Sequence, residues 1–473
     1  MNRKIVLLLI LLLMVPIGCT LGPKFERPDS PVPDRWPSGA AYQDLKESAS
    51  VSSPAMLPWR EVFSDERLQK VIETALNHNR DLRLTTLNME RVRAVYGIKR
   101  FDLFPAVQAV GVMNKQHLPA DLSFSGREVT SEQYSVNLGI ASWEIDFFGR
   151  LRSLKDTALE EYLATEQARR SARTLLISAV AVTYLSLAAD QEMLRLAAST
   201  LKTQEEVYRL IRKRYEVGLG SDLDLRRSQS QVETARGEVA RYTQVVAQDE
   251  NALNLLVGSP LPPSLLPPEW SSVSPPKEVY PGLSSEVLLQ RPDVMAAEHR
   301  LKAAYANIGA ARAAFFPRIA LTTTIGTASA DLSGLFKTGQ GTWSFMPQIA
   351  WPIFDARTWS AYRVTKLEKE ISITQYEKTI QTAFREVADA LVVRGSVNRQ
   401  IEAQQAVVEA LAETYRLSQV RFSKGLDSYL SVLDAQRSLY VAQKGLITLR
   451  LARLGNQTTL YKVLGGGSGS QAD

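Results

Sequence analysis

An offset of 207 residues lays YEVGLGSDLDLRRSQSQVETA (215–235) over FSKGLDSYLSVLDAQRSLYVA (422–442), placing Gly218 on Gly425, Leu219 on Leu426, Ser221 on Ser428 and Leu223 on Leu430. The correspondence extends further. LNHNRDL (76–82) matches LLQRPDV (288–294) at an offset of 212, and the same offset carries Gly97, Arg100, Phe104 and Pro105 onto Gly309, Arg312, Phe316 and Pro317. A repeat this long means one supersecondary unit used twice in a quasi-symmetric structure. The Pro-rich stretch SPLPPSLLPPEWSSVSPPKEVYPG (259–282) separates the two copies. The expected organisation is a leader over 1–18, an extended N-terminal segment over 19–63, repeats over 64–258 and 283–465, and a flexible tail over 466–473.

Within each copy the hydrophobic period changes in the same order. A helical segment ends at LFP or FFP, and strand-like runs follow, over 104–114 and 316–329 and around two alternating faces. Tyr134, Val136, Leu138 and Ile140 form one face; Trp343, Phe345, Ile349, Trp351 and Ile353 form the other, with Ser135, Asn137, Ser344 and Gln348 opposite. Each copy thus supplies two strands long enough to cross a bilayer obliquely. Trp143, Trp343 and Trp351 fit either a packed core or an interfacial belt. Long helices come next. Residues 150–215 contain no proline or glycine, and Leu176, Val180, Tyr184, Leu187, Gln191 and Leu194 step by three and four. The stepping resumes after VGLGS and recurs in the second copy. A spacing near 3.5 is coiled-coil geometry, and at ~1.5 Å per residue a helix of about sixty residues reaches roughly 90 Å.

The ends and the composition narrow the class. MNRK is a positively charged start, residues 5–15 are apolar but too short to span a bilayer, and PIGC puts a small residue before Cys19. The pattern resembles a bacterial lipobox in Ile17, Gly18 and Cys19, with Pro16 where Leu is usual. Cys19 is then the attachment point of a covalent lipid; an ordinary signal peptide with a buried cysteine is the alternative. Thr20 after the cysteine resembles the pattern sorted to the outer membrane. With one Cys and three His there is no disulfide framework, and His78, His117 and His299 lack ligand spacing, so no metal site is expected. The formal net charge is +6 and no Lys/Arg block stands out, which leaves nucleic-acid binding unsupported.

These features constrain one another. Four amphipathic strands cannot close a barrel, and open sheet edges are not tolerated in lipid, so several chains must share one sheet; three would give twelve strands. The helices carry charge throughout, as in EEYLATEQARR, and must project from the membrane. The paired G-L-x-S turns become two hairpin tips at the far end of a helical tube.

LLQRPDVMAAEHRLKAAYANIGAARAAFFPRIALTTTIG (288–326), WEIDFFGRLR (143–152) and SYLSVLDAQRSLY (428–440) resemble the TolC-like outer membrane factors. The resemblance is to their lipoprotein, NodT-type branch, which serves RND multidrug efflux. It implies an α+β membrane protein: a homotrimer with a twelve-stranded outer-membrane β-barrel, four strands per chain, continued by a periplasmic helical coiled-coil barrel. It also implies a periplasmic membrane-fusion adaptor and an inner-membrane RND transporter as partners, export of drugs or small toxic compounds, no cofactor beyond the lipid on Cys19, and no catalysis. Carried over residue by residue, Asp434 in LDAQR lines the periplasmic constriction and Asp224 helps hold the gate shut; Arg437, one helical turn from Asp434, can pair with it or with a neighbouring chain. Asp222 could serve in place of Asp224, and the alternative for Asp434 is a solvated surface carboxylate. Asp427 stands where some relatives have an Arg. Gly218, Leu219, Ser221, Gly425, Leu426 and Ser428 become the adaptor-docking tips. A conduit for type I protein secretion is the nearest alternative, and a periplasmic coiled-coil scaffold the next.

Overall fold

The computed structural model describes residues 20–42, 57–279, 282 and 284–467. The leader, Cys19 and residues 468–473 lie outside them. The main elements are α1 (Glu66–His78), α2 (Arg80–Phe101), β1 (Val107–Leu118), β2 (Val129–Ile145), α3 (Arg150–Glu216) and α4 (Asp222–Val257). They are followed by α5 (Pro292–Ala313), β3 (Arg318–Ser329), β4 (Gly341–Ala350), α6 (Ala356–Ser423) and α7 (Tyr429–Val463).

Local chemistry sets these boundaries. Asp65 caps α1 by accepting from the Arg67 and Leu68 amides at 2.9 and 3.0 Å, and Asn79 caps α2 through the Leu82 amide at 2.8 Å. α3 runs unbroken for 67 residues, as the absence of breakers in 150–215 demands, and α6 runs for 68. The four strands form one antiparallel sheet in the order β1-β2-β3-β4. Ser142, at φ 54°, forms a bulge in β2 between Ile140 and Trp143. β4 ends at Ala350, so Trp351 and Ile353 leave the alternating face on which their spacing puts them. Pro352 between them has no N–H to give a ladder. In the same way Pro105 and Pro317 delay β1 and β3 to Val107 and Arg318, past the phenylalanines where the strand patterns begin.

The duplication recurs in hydrogen bonds. Asn79 Nδ2 donates to the Leu256 carbonyl at 2.8 Å, and its counterpart Arg291 donates through Nη1 to the Val463 carbonyl at 2.8 Å. Trp143 Nε1 donates to the Leu103 carbonyl and Trp351 Nε1 to the Phe315 carbonyl, both at 3.2 Å. Offsets of 207 or 212 relate the acceptors in each pair.

The chain forms two compact units. The first comprises, among the described residues, 20–28, 89–165 and 297–376; the rest form the second. In the first unit α5 packs on α3: Thr157 Oγ1 donates to the Ala303 carbonyl at 3.5 Å, His299 Nδ1 lies 2.7 Å from Glu160 Oε2, and Gly309 sits against Ser153. The N-terminal segment lies along α5, where Arg27 pairs with Glu298 at 2.9 Å and Phe25 meets the Tyr305 ring edge-on at 5.5 Å. In the second unit Tyr184, Leu187, Leu253 and Phe63 are fully buried, each such side chain contributing roughly 1.5–3 kcal/mol. Trp36 stacks on Phe384 at 5.2 Å, holding the continuation of the N-terminal segment.

Candidate functional site

The two helix reversals share one backbone plan. In the first, the Gly218 amide donates to the Tyr215 carbonyl at 3.0 Å and the Leu219 amide to the Arg214 carbonyl at 2.8 Å. In the second, Gly425 donates to Phe422 at 3.0 Å and Leu426 to Arg421 at 2.9 Å. Gly218 and Gly425 have φ of 76° and 72°, the left-handed region that ends helices, and a Cβ on either would meet open space. Conformation, not room, selects glycine there. Leu219 and Leu426 follow at 72% and 63% exposure.

The locks on the two turns differ. Ser221 caps α4, accepting from the Asp224 amide at 3.1 Å while its hydroxyl donates to Asp224 Oδ2 at 2.8 Å. Asp224 is thereby engaged in its own tip, and Asp222 lies 3.5 Å from Arg226. Ser428 precedes α7 with extended backbone but makes no side-chain cap. Here Arg421 Nε donates to Asp427 Oδ2 at 2.5 Å, and this guanidinium holds the Asp427 carboxyl below the usual carboxylate range. The spacing of Arg421 and Asp427 across a six-residue reversal was the available sequence signal for this clamp.

Behind the tips, Ile211, Tyr429, Val432 and Leu433 form a buried cluster, with Phe422 tilted against Tyr429 at 5.5 Å and the Arg214 guanidinium 5.1 Å above the Phe422 ring. Gln204 Nε2 donates to Gln436 Oε1 at 2.8 Å in the buried seam of α3 and α7. Farther along, Glu238 on α4 accepts from Arg241, from Lys444 at 3.0 Å and from the Tyr440 hydroxyl at 3.1 Å, which pull its pKa to about 2. The cluster and seam bury the Leu433, Ala435 and Gln436 side of α7, while Asp434 and Arg437 are exposed on the other. Among the described residues no ion pair joins Asp434 to Arg437.

The helical hairpins and the single four-stranded sheet are the context for the sequence comparisons. Residues 71–259 and 283–466, one stretch in each copy, match the family described as outer membrane efflux protein. The chain belongs to the outer membrane efflux protein family. It is 47% identical over 451 residues to the probable efflux pump outer membrane protein TtgC of Pseudomonas putida, covering 95% of this chain and 93% of that protein. It is 40% identical over 462 residues to the outer membrane protein OprJ of Pseudomonas aeruginosa, covering 97% and 95%. Among solved structures, a membrane protein from Pseudomonas aeruginosa matches with a TM-score of 0.87 at 38% identity, covering 96% of this chain and 99% of that one. The open state of the Neisseria gonorrhoeae MtrE outer membrane channel matches with a TM-score of 0.84 at 38% identity, covering 95% and 98%. The outer membrane efflux family consists of transport channels, so this chain is an outer-membrane transport protein and not an enzyme.

Proposed function

We propose that three copies form one conduit, exporting drugs, solvents or other small toxic compounds from the periplasm to the exterior. The conduit works with a periplasmic adaptor and an inner-membrane RND transporter and is held additionally by a lipid on Cys19. TtgC, named as a probable efflux pump protein, and the description of the matched family support the export reading. One observation carries the assembly. Within the chain, α5 of the second copy packs on α3 of the first; the counterpart pair is α2 and α6. Their facing positions are exposed and apolar: Leu87 (50%), the counterpart of His299, and Leu367 (55%), that of Glu160. Gly97, the counterpart of Gly309, has no atom near its missing Cβ among the described residues. A second copy seated by the same geometry covers these surfaces, and β4 then meets the next chain's β1, leaving no open edge.

In this reading the exposed tip leucines and the turns around Gly218, Ser221, Gly425 and Ser428 meet the adaptor. A non-glycine residue in the left-handed region costs about 1–2 kcal/mol, and a bulky charge also spoils the contact surface. Gly218→Glu and Gly425→Glu are therefore expected to abolish drug resistance in a strain lacking its own channel, with outer-membrane trimers still present. Full resistance in both variants would remove the docking assignment.

Asp434, exposed and unpaired with Arg437, is proposed as the constriction ring. Three like charges near one axis favour cations and bind multivalent ones. For Asp434→Ala in planar bilayers, cation selectivity and trivalent-cation block should both weaken. Unchanged selectivity, block and conductance would move the constriction to Asp224 or Asp427.

A further inference from the structure

A cleft of about 800 Å³ opens at the α1–α2 junction beside α3, lined by Trp59, Arg60, Glu73, Arg83, Arg169 and Arg173 among others. Arg60 is held by Glu73 at 2.7 Å. Arg169 Nε–H is buried without an acceptor among the described residues, a state that ordinarily costs about 1–3 kcal/mol. With Arg60 paired to Glu73, the guanidinium groups of Arg83 and Arg169 have no carboxylate partner among the described residues and make this an anion-attracting surface.

The second copy gives the surface a meaning. At the same offsets, Arg83, Thr86, Arg169 and Arg173 correspond to Met295, Glu298, Tyr376 and Ile380. There the chain's own extended N-terminal segment lies on α5: Arg27 pairs with Glu298, Phe25 packs on Tyr305 and Gly22 on Gly309, while Tyr376 and Ile380 are 1% and 2% exposed. The repeated groove is thus one that accepts an extended peptide. In the first copy its charge is reversed, since the carboxylate that receives Arg27 has become Thr86 and three arginines have entered.

We propose that the α1–α2 cleft is a docking site for an extended, carboxylate-rich peptide segment of a partner protein. The partner's carboxylates would take the place that Arg27 takes on the second copy, meeting Arg83 and Arg169 with the opposite sign. Charge-assisted hydrogen bonds from guanidinium to carboxylate supply the affinity. The volume is that of a drug-sized ligand, far more than a single oxyanion fills.

The test uses the full-length protein, purified in detergent as its oligomer, and a fluorescein-labelled hexaglutamate peptide followed by anisotropy at about 0.1 M salt, where charge steering is still felt. The parent should bind it, and Arg83→Gln with Arg169→Gln should weaken binding about tenfold or more, the worth of one lost charge-assisted contact. Lys378→Gln, which removes one exposed charge from α6, should leave binding essentially unchanged. If the double variant fails to assemble, Arg83→Gln alone carries the comparison, because Arg83 is exposed. No binding by the parent, or equal weakening in Lys378→Gln, overturns the proposal. Competition by inorganic phosphate as effective as by unlabelled peptide also overturns it, in favour of a small-oxyanion site.

Discussion

Cysteines placed at Gly97 and Ser360 in a Cys19→Ala background will turn the oligomer into a disulfide-linked trimer on non-reducing gels, whereas either cysteine alone will leave monomer-sized chains. The expectation comes from the duplication. Gly309 and Ser153 touch within one chain so closely that a Cβ built on Gly309 would lie 2.6 Å from Ser153 Oγ. Offsets of 212 and 207 carry these residues to Gly97 and Ser360, and among the described residues nothing lies near the missing Cβ of Gly97. If the contact between copies repeats the contact within a copy, the two new Cβ atoms fall near the 3.5–4.5 Å that a disulfide needs. Cross-linking that stops at dimers under full oxidation would rule out a closed ring, and none at all would rule out the shared geometry.

Arg291→Met will destabilise the protein by about 3 kcal/mol, the lower end for breaking a buried charge network, since its acidic partners are partly exposed. Arg291 is 7% exposed, donates to Asp293 Oδ2 at 2.7 Å, to Glu386 Oε2 at 2.8 Å and to the Val463 carbonyl at 2.8 Å. Methionine fills the space but leaves two carboxylates facing each other and the last turn of α7 without its donor. Asn79→Ala, at the counterpart position, removes an uncharged bond to Leu256 and a helix cap, at about 1–2 kcal/mol. Thermal melting by circular dichroism of the detergent-solubilised protein should therefore fall much further for Arg291→Met. Equal shifts would mean that the charges contribute nothing beyond the shared carbonyl contact.

The features set by local rules were legible in the residues. Gly218 and Gly425 mark the turns because only a left-handed residue closes them, and the unbroken 150–215 stretch announces α3. Strand ends were less so: alternation carries through Trp351 and Ile353 although Pro352 ends the ladder first. Contacts between distant segments were hidden altogether. The Pro-rich start of the chain reads as extended, yet nothing local says that Arg27 will meet Glu298 or Trp36 will meet Phe384. Asp427 stands where some relatives have an Arg, and its six-residue spacing from Arg421 becomes a contact because the chain reverses between them.

The unlike fastenings of the two tips have a mechanical consequence. One is closed by a hydroxyl and a carboxylate, the other by an exposed guanidinium–carboxylate pair. Salt screens the second and hardly touches the first. Asp427 titrates below its free range, so its clamp holds at neutral pH and is lost as pH falls through that lowered value. In the proposed ring of three chains the two kinds of tip alternate, so neighbouring hairpins at its far end are fastened in different ways. High salt would loosen every second tip and leave the others as they are.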